Sequence, residues 1–156
     1  MNAVEAPRRR LRRTGILLLS TAVALTLFSA APAEAGRPGR MPERQMKGYV
    51  NEARLHHSTD RLFMRRRLVR IARRHSRAMA SSGSLYHSSD LGSKMPRGWR
   101  IVGENVGVGY SIESLHEAFM ASAPHRRNNL RPAYEKIGVG VVQRDGRIWV
   151  TVVFYG

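Results

Sequence analysis

Trp99-Arg100-Ile101-Val102-Gly103-Glu104-Asn105-Val106 tends toward the two-residue alternation of a short β-strand, with a carboxylate set in its middle. The segments on either side define what this strand packs against. Upstream lies a Gly-, Ser-, Pro- and Lys-containing loop, preceded by Leu85-Tyr86-His87-Ser88-Ser89, which reads as an ordered loop. Downstream, Ser111 offers a cap for a helix running to about Ser122, with Ile112, Leu115, Ala118 and Phe119 expected inward. Pro124 breaks that helix and starts a short helical turn carrying His125. Ile137 to Val142 and Ile148 to Phe154 are β-rich runs joined through Asp145-Gly146, a dipeptide suited to a hairpin turn.

Before the loop, residues 65–82 carry the clearest amphipathic pattern. Leu68, Ile71, Ala72, His75, Ala78 and Met79 recur at steps of three and four, which predicts one buried helix face. Arg66, Arg70, Arg73 and Arg77 fall opposite, flanked by Arg67 and Arg74, as a basic ridge. His75 sits within the apolar stripe and is expected to be a hydrogen-bonded core residue. Met46, Tyr49, Val50, Ala53 and Arg54 predict an earlier helix ending near His56 and His57. Those two adjacent histidines point about 100° apart on a helix, so they read as solvated helix-end residues and not as a chelating pair.

The front of the chain has a different character. Arg8-Arg9-Arg10-Leu11-Arg12-Arg13 precedes an uncharged apolar run from Ile16 to Phe28, and Ala33-Glu34-Ala35 follows. A basic stretch, a short apolar core and an Ala-x-Ala site predict a secretory signal peptide over 1–35. The alternative is an uncleaved N-terminal anchor, against which the apolar run falls short of the ~20 residues of a spanning helix. Residues 36–45, with Pro38, Gly39 and Pro42, are expected to be a flexible lead-in, leaving 46–156 as one domain. There is no cysteine, so a hydrophobic core must hold this domain together without disulfides.

Charge is strongly one-sided. The chain has 27 Lys+Arg and 11 Asp+Glu, and most of that excess lies beyond residue 35 and is arginine. This predicts attraction to polyanions such as anionic wall polymers or acidic membrane surfaces, although an arginine-biased composition would produce the same balance without a partner. Nucleic acid is a poor candidate: aromatics make up 7% of the residues and are not interleaved with the arginines as a stacking surface requires.

Without cysteine, chemistry falls to imidazole, carboxylate and hydroxyl groups. His87, Glu104 and His125 are the candidates, since two imidazoles, one carboxylate and a water make an open zinc arrangement that polarises water. The same three residues would equally serve as a buried hydrogen-bonded cluster. Ser88 beside His87 is not a nucleophile–base pair, because chain neighbours rarely face each other, and no Gly-x-Ser-x-Gly elbow supports Ser122.

The order of parts resembles the CAP superfamily of cysteine-rich secretory, antigen 5 and pathogenesis-related proteins, in its compact cysteine-free bacterial branch. The resemblance runs from about Met46 to Gly156. It is carried by Asn51-Glu52-Ala53-Arg54, Ala72, His75-Ser76, Met79-Ala80, His87-Ser88, Gly103-Glu104-Asn105, Ser122, His125-Arg126, Asn128 and Ile137-Gly138-Val139-Gly140-Val141. It implies an α+β fold, a three-layer α-β-α sandwich with a small antiparallel sheet and an open cavity. In the family, two histidines and usually two glutamates line that cavity, and some members bind a divalent metal. Carried over, His87 and His125 take the histidine positions, Glu104 the first glutamate, and Ser122 stands where the second would be. His87, His125 and Glu104 are thus the expected metal ligands, with zinc as the candidate cofactor, and the four residues together the expected ligand-binding cavity. Asn129 departs from the pattern, replacing a residue that is usually apolar. The expected function is that of a secreted binding module for a small apolar or lipid-like ligand. The alternative is a metal-assisted hydrolase using His87, Glu104 and His125.

Overall fold

A computed structural model describes residues 40–156, so the expected signal peptide over 1–35 lies outside the described residues. Five helices, α1 (Arg40–His56), α2 (Arg66–Ser82), α3 (Leu91–Lys94), α4 (Ile112–Ala121) and α5 (Ala123–Leu130), surround a four-stranded sheet. Its strands are β1 (Phe63–Met64), β2 (Val102–Gly109), β3 (Lys136–Arg144) and β4 (Arg147–Tyr155), in the order β1-β3-β4-β2. The three long strands are antiparallel, and the two-residue β1 adds a parallel edge that the residue pattern did not announce.

The layers follow from the alternation along β4. Val150, Val152 and Phe154 face α1 and α4 in a cluster with Met46, Val50, Leu115, Phe119, Ile137 and Val139. Val153 and Trp149 face the other way, onto Leu68, Ala72 and Met79 of α2. The result is an α-β-α sandwich, with α2 and the short α3 on one face and α1, α4 and α5 on the other. Helix α2 lies directly on β3 because Gly138 and Gly140 present no side chain there; a β-carbon on either would meet the backbone of Leu68 or Ala72. Ser76 secures the same seam, donating from Oγ to the Gly140 carbonyl at 3.0 Å and approaching Thr151 Oγ1 at 2.9 Å. Asp145 and Gly146 both adopt positive φ, 49° and 71°, as a two-residue hairpin turn requires.

Several boundaries differ from those read in the sequence. Helix α1 begins at Arg40, inside the expected lead-in, and its first turn places Glu43 in the buried set. There Arg73 of α2 donates two hydrogen bonds to the Glu43 carboxylate, at 2.5 and 2.6 Å. On α2 the buried positions are Leu68, Ala72, His75, Ser76, Met79 and Ala80, whereas Ile71 is half-buried and Ala78 exposed. Ala118 of α4, expected inward, is also exposed. On α2 the buried stripe is as wide as expected but turned about the helix axis, so that Ser76 and Ala80 meet the sheet in place of Ile71 and Ala78.

Candidate functional site

Glu104 and Asn105 sit side by side on β2, an edge strand, so their side chains leave it on opposite faces. Each fastens one of the two histidine-bearing segments. On the α2 side, Glu104 is buried and accepts three hydrogen bonds: from His87 Nδ1 at 3.0 Å, from the Ser88 amide at 2.8 Å and from Ser88 Oγ at 2.7 Å. These contacts close the loop that follows α2 onto the strand. They also hold His87 with its proton on Nδ1, leaving Nε2 as the free edge of a ring whose side chain is 59% exposed. The preceding turn is held by His75, which is buried and donates from Nε2 to the Tyr86 carbonyl at 2.8 Å. This is the hydrogen-bonded core histidine that its place in the apolar stripe predicted.

On the other face, Asn105 is fully buried and positions α5. Its Nδ2 donates to the His125 carbonyl and to Asn129 Oδ1, both at 3.0 Å, and its Oδ1 accepts from Asn128 Nδ2 at 2.9 Å. Asn128 Nδ2 also reaches the Glu104 carbonyl at 3.1 Å, which ties the helix to the strand at two successive residues. Asn129, the departure from the family pattern, is therefore a built-in member of this network. Its burial is matched by a partner on each side, the second being Met120 Sδ at 3.3 Å. Ser122 is shared between the end of α4 and the start of α5, and its Oγ lies 2.9 Å from His125 Nδ1. The Phe119 ring supports the imidazole from α4, with ring centroids 5.2 Å apart. His125 is thus held at Nδ1 and half-buried. Burial, and next the nearby His87, push its pKa below the ordinary histidine value.

The assembly rests on Arg54, one of the largest fully buried side chains. Its guanidinium donates to the carbonyls of Asp60, Asn129, Arg131 and Tyr134 at 2.6 to 3.3 Å, joining α1 to both ends of the segment after α5. Asn51, one turn earlier, brackets Leu62 by accepting from its amide and donating to its carbonyl.

The four expected site residues therefore divide into two pairs, Glu104 with His87 and Ser122 with His125. Glu104 does not sit between the two imidazoles: it braces one of them, and Asn105 performs the corresponding task for the other. The rings present two nitrogens, each with the Nδ1 side tethered. The Glu104 carboxylate is occupied by three donors from His87 and Ser88. No group of three or more His, Cys, Asp or Glu among the described residues is arranged to hold a metal ion. The donor set therefore does not fit a tetrahedral zinc centre, which takes at least three protein ligands. A groove of about 920 Å³ beside α2 takes in His87 and Ser88, together with Tyr86, Ile71, Ala78 and several arginines, but not Glu104, Ser122 or His125.

Sequence reasoning gave no role to Ser88, Asn105 or Asn128, although each lies inside a quoted motif. Their polar side chains, placed next to a candidate carboxylate and histidine, were the available signal. His116 gave none. It is half-buried on α4, stacked on Tyr49 with ring centroids 5.4 Å apart, and its Nδ1 has no hydrogen-bond partner among the described residues.

Solved structures place this architecture among known ones. An extracellular protein containing an SCP domain from Bacillus anthracis is similar at a TM-score of 0.69 and 22% identity, covering 80% of this chain and 43% of that one. An outer surface protein from Borrelia burgdorferi matches at 0.69 and 15%, covering 74% of this chain and 92% of that one. A cysteine-rich secretory protein from Staphylococcus aureus matches at 0.64 and 22%, covering 77% and 40%. The chain thus spans less than half of the Bacillus and Staphylococcus proteins, and at these identities the likeness is one of fold. Among curated proteins none matches this chain. The model of the cysteine-rich secretory protein family, CAP, matches residues 47–154. Although it contains no cysteine, the chain belongs to the CAP family.

Proposed function

We propose that this chain is an exported binding module, and that the free Nε2 edges of His87 and His125 receive the polar end of a small ligand with an apolar or lipid-like body. The observation that carries this reading is the state of Glu104. A buried carboxylate accepting three hydrogen bonds from His87 and Ser88 braces a loop and fixes a tautomer. That bracing role supports binding over the hydrolytic alternative, which would ask the same carboxylate to activate water. The apolar part of the ligand is supported by Leu85 and Tyr86, which are 49% and 43% exposed immediately before His87. Export is supported by the basic run at 8–13, the apolar run at 16–28 and Ala33-Glu34-Ala35. Among the described residues, no helix is long and apolar enough to cross a membrane.

The test is purification from culture medium, followed by intact mass, metal content and mass spectrometry of an organic extract. The expected result is a chain beginning at Gly36 that releases a lipid-like ligand and keeps it through chelation. His87→Ala and His125→Ala should each lose that ligand while keeping the fold largely intact by circular dichroism. Recovery of only the full-length chain in membranes would argue for an anchor, and chelator-sensitive ester hydrolysis would favour the enzyme.

A further inference from the structure

The outer face of α2 holds six arginines in seventeen residues and no acidic residue. At three- and four-residue spacing like charges repel, and Arg66 and Arg67 also face the positive end of the helix dipole. A convex solvated helix spreads such charges into water. Here they line concave surface instead. The 920 Å³ groove between α2 and the segment 86–94 is walled by Arg67, Arg70, Arg74, Arg77 and Lys94. A second groove of 750 Å³, toward α1, adds Arg44, Lys47 and Arg66, and a third of 500 Å³ lies by Pro96. Arg70 lines all three, so they meet across it.

Compensation within this trough is slight. Its carboxylates are Glu43, which is buried and bound by Arg73, and Asp90, which pairs with Lys94 at 2.5 Å. Arg67, Arg70, Arg74 and Arg77 have no ion-pair partner among the described residues. From Arg67 to Arg77 is about 15 Å at 1.5 Å per residue, which suits successive charges along a chain more than a single ion.

We propose that this trough binds an extended polymer of phosphodiesters that carries neither bases nor acyl chains. Guanidinium forks match phosphate oxygens two at a time, and the bound anions relieve the repulsion along α2. A flat bilayer would reach only the rim of a concave basic channel. Tyr86 is the one Phe, Tyr or Trp lining the three grooves, with His75 already held by its carbonyl, so successive bases find no row of rings to stack on. The proposal does not depend on ligand capture between the two imidazoles.

Titration of the mature chain with synthetic poly(glycerol phosphate) tests it. A triple variant, Arg70→Glu, Arg74→Glu and Arg77→Glu, is compared with a charge-matched control, Arg127→Glu, Arg144→Glu and Arg147→Glu. The trough variant should weaken binding at least tenfold and reduce the slope of log K against log salt by about 2, at ~0.7 per lost phosphate contact. The control should change affinity less than threefold. If the glutamate variant fails to fold, the corresponding triple glutamine variant should still weaken binding several-fold. Equal losses in trough and control variants would reduce the effect to net charge and overturn the proposal. So would tighter binding, per phosphate, to phosphatidylglycerol vesicles, or displacement of the polymer by oligothymidylate at equal phosphate.

Discussion

Glu104 and His125 show what one residue can be asked to do at the edge of this sheet. Truncating Glu104 to Ala strands the Ser88 amide, the Ser88 hydroxyl and His87 Nδ1 at once. With unsatisfied groups costing about 1–3 kcal/mol each when buried, and less where water reaches, Glu104→Ala is expected to lower the thermal midpoint and speed hydrogen exchange at Ser88. Glu104→Gln, which keeps one acceptor oxygen, should lose less of both. Ser122 gives a second expectation. Its Oγ faces Nδ1 of His125 and not the free Nε2, so Ser122→Glu would supply an orienting carboxylate there and not a metal ligand. The His125 pKa, held low by burial and by His87, should rise in that variant, as an NMR titration of the ring would register, while zinc affinity stays unchanged. At this scale the sequence identified His87, Glu104, Ser122 and His125 as residues of interest. It did not reveal their pairing, because residue order along β2 does not say which face of the strand meets which loop. That is why Asn105, which does as much to place His125 as Glu104 does to place His87, was quoted within a motif but given no role.

At the level of elements, periodicity served where a run was long enough to contain several periods. α2, α4 and the β3-β4 hairpin all begin and end within three residues of where their patterns place them. β1 and α3, at two and four residues, span about one period each, so nothing repeats in them and they were invisible. The start of α1 was hidden differently: a buried glutamate looks like a solvated one until its arginine, thirty residues on, is brought beside it. Buried faces were read a little off axis, taking in Ala78 and Ala118 and leaving out Ser76 and Ala80, but their centres are secure. Met79 is fully buried on α2 and Phe119 is 3% exposed on α4. Met79→Ala and Phe119→Ala are each expected to destabilise by about 2–5 kcal/mol in denaturant unfolding, on opposite sides of the sheet and hence nearly additively. Phe119→Ala should in addition loosen His125, whose ring it supports, and Met79→Ala should not.

For the molecule as a whole, the two half-buried histidines make acidification unfavourable. His116 and His125 both have pKa values lowered from 6.5, in each case first by burial. The unfolded chain therefore takes up their protons at a higher pH than the folded one. Their contribution to stability is complete above about pH 6.5 and declines as pH falls below it toward the folded-state values. Thermal midpoints measured at pH 7.5 and pH 5 should drop on acidification, and His116→Gln should flatten the drop. The order of assembly follows from the position of β3 and β4. These are the two central strands, they receive the apolar faces of α1 and α2, and they occupy residues 136–155 of 156. Arg54 likewise waits for carbonyls that lie 75 to 80 residues downstream. Until β3 and β4 pair, α2 has no sheet to lie on and Arg54 lacks most of its acceptors, so closure of the molecule waits on contacts between distant parts of the chain, the kind of wiring that slows folding.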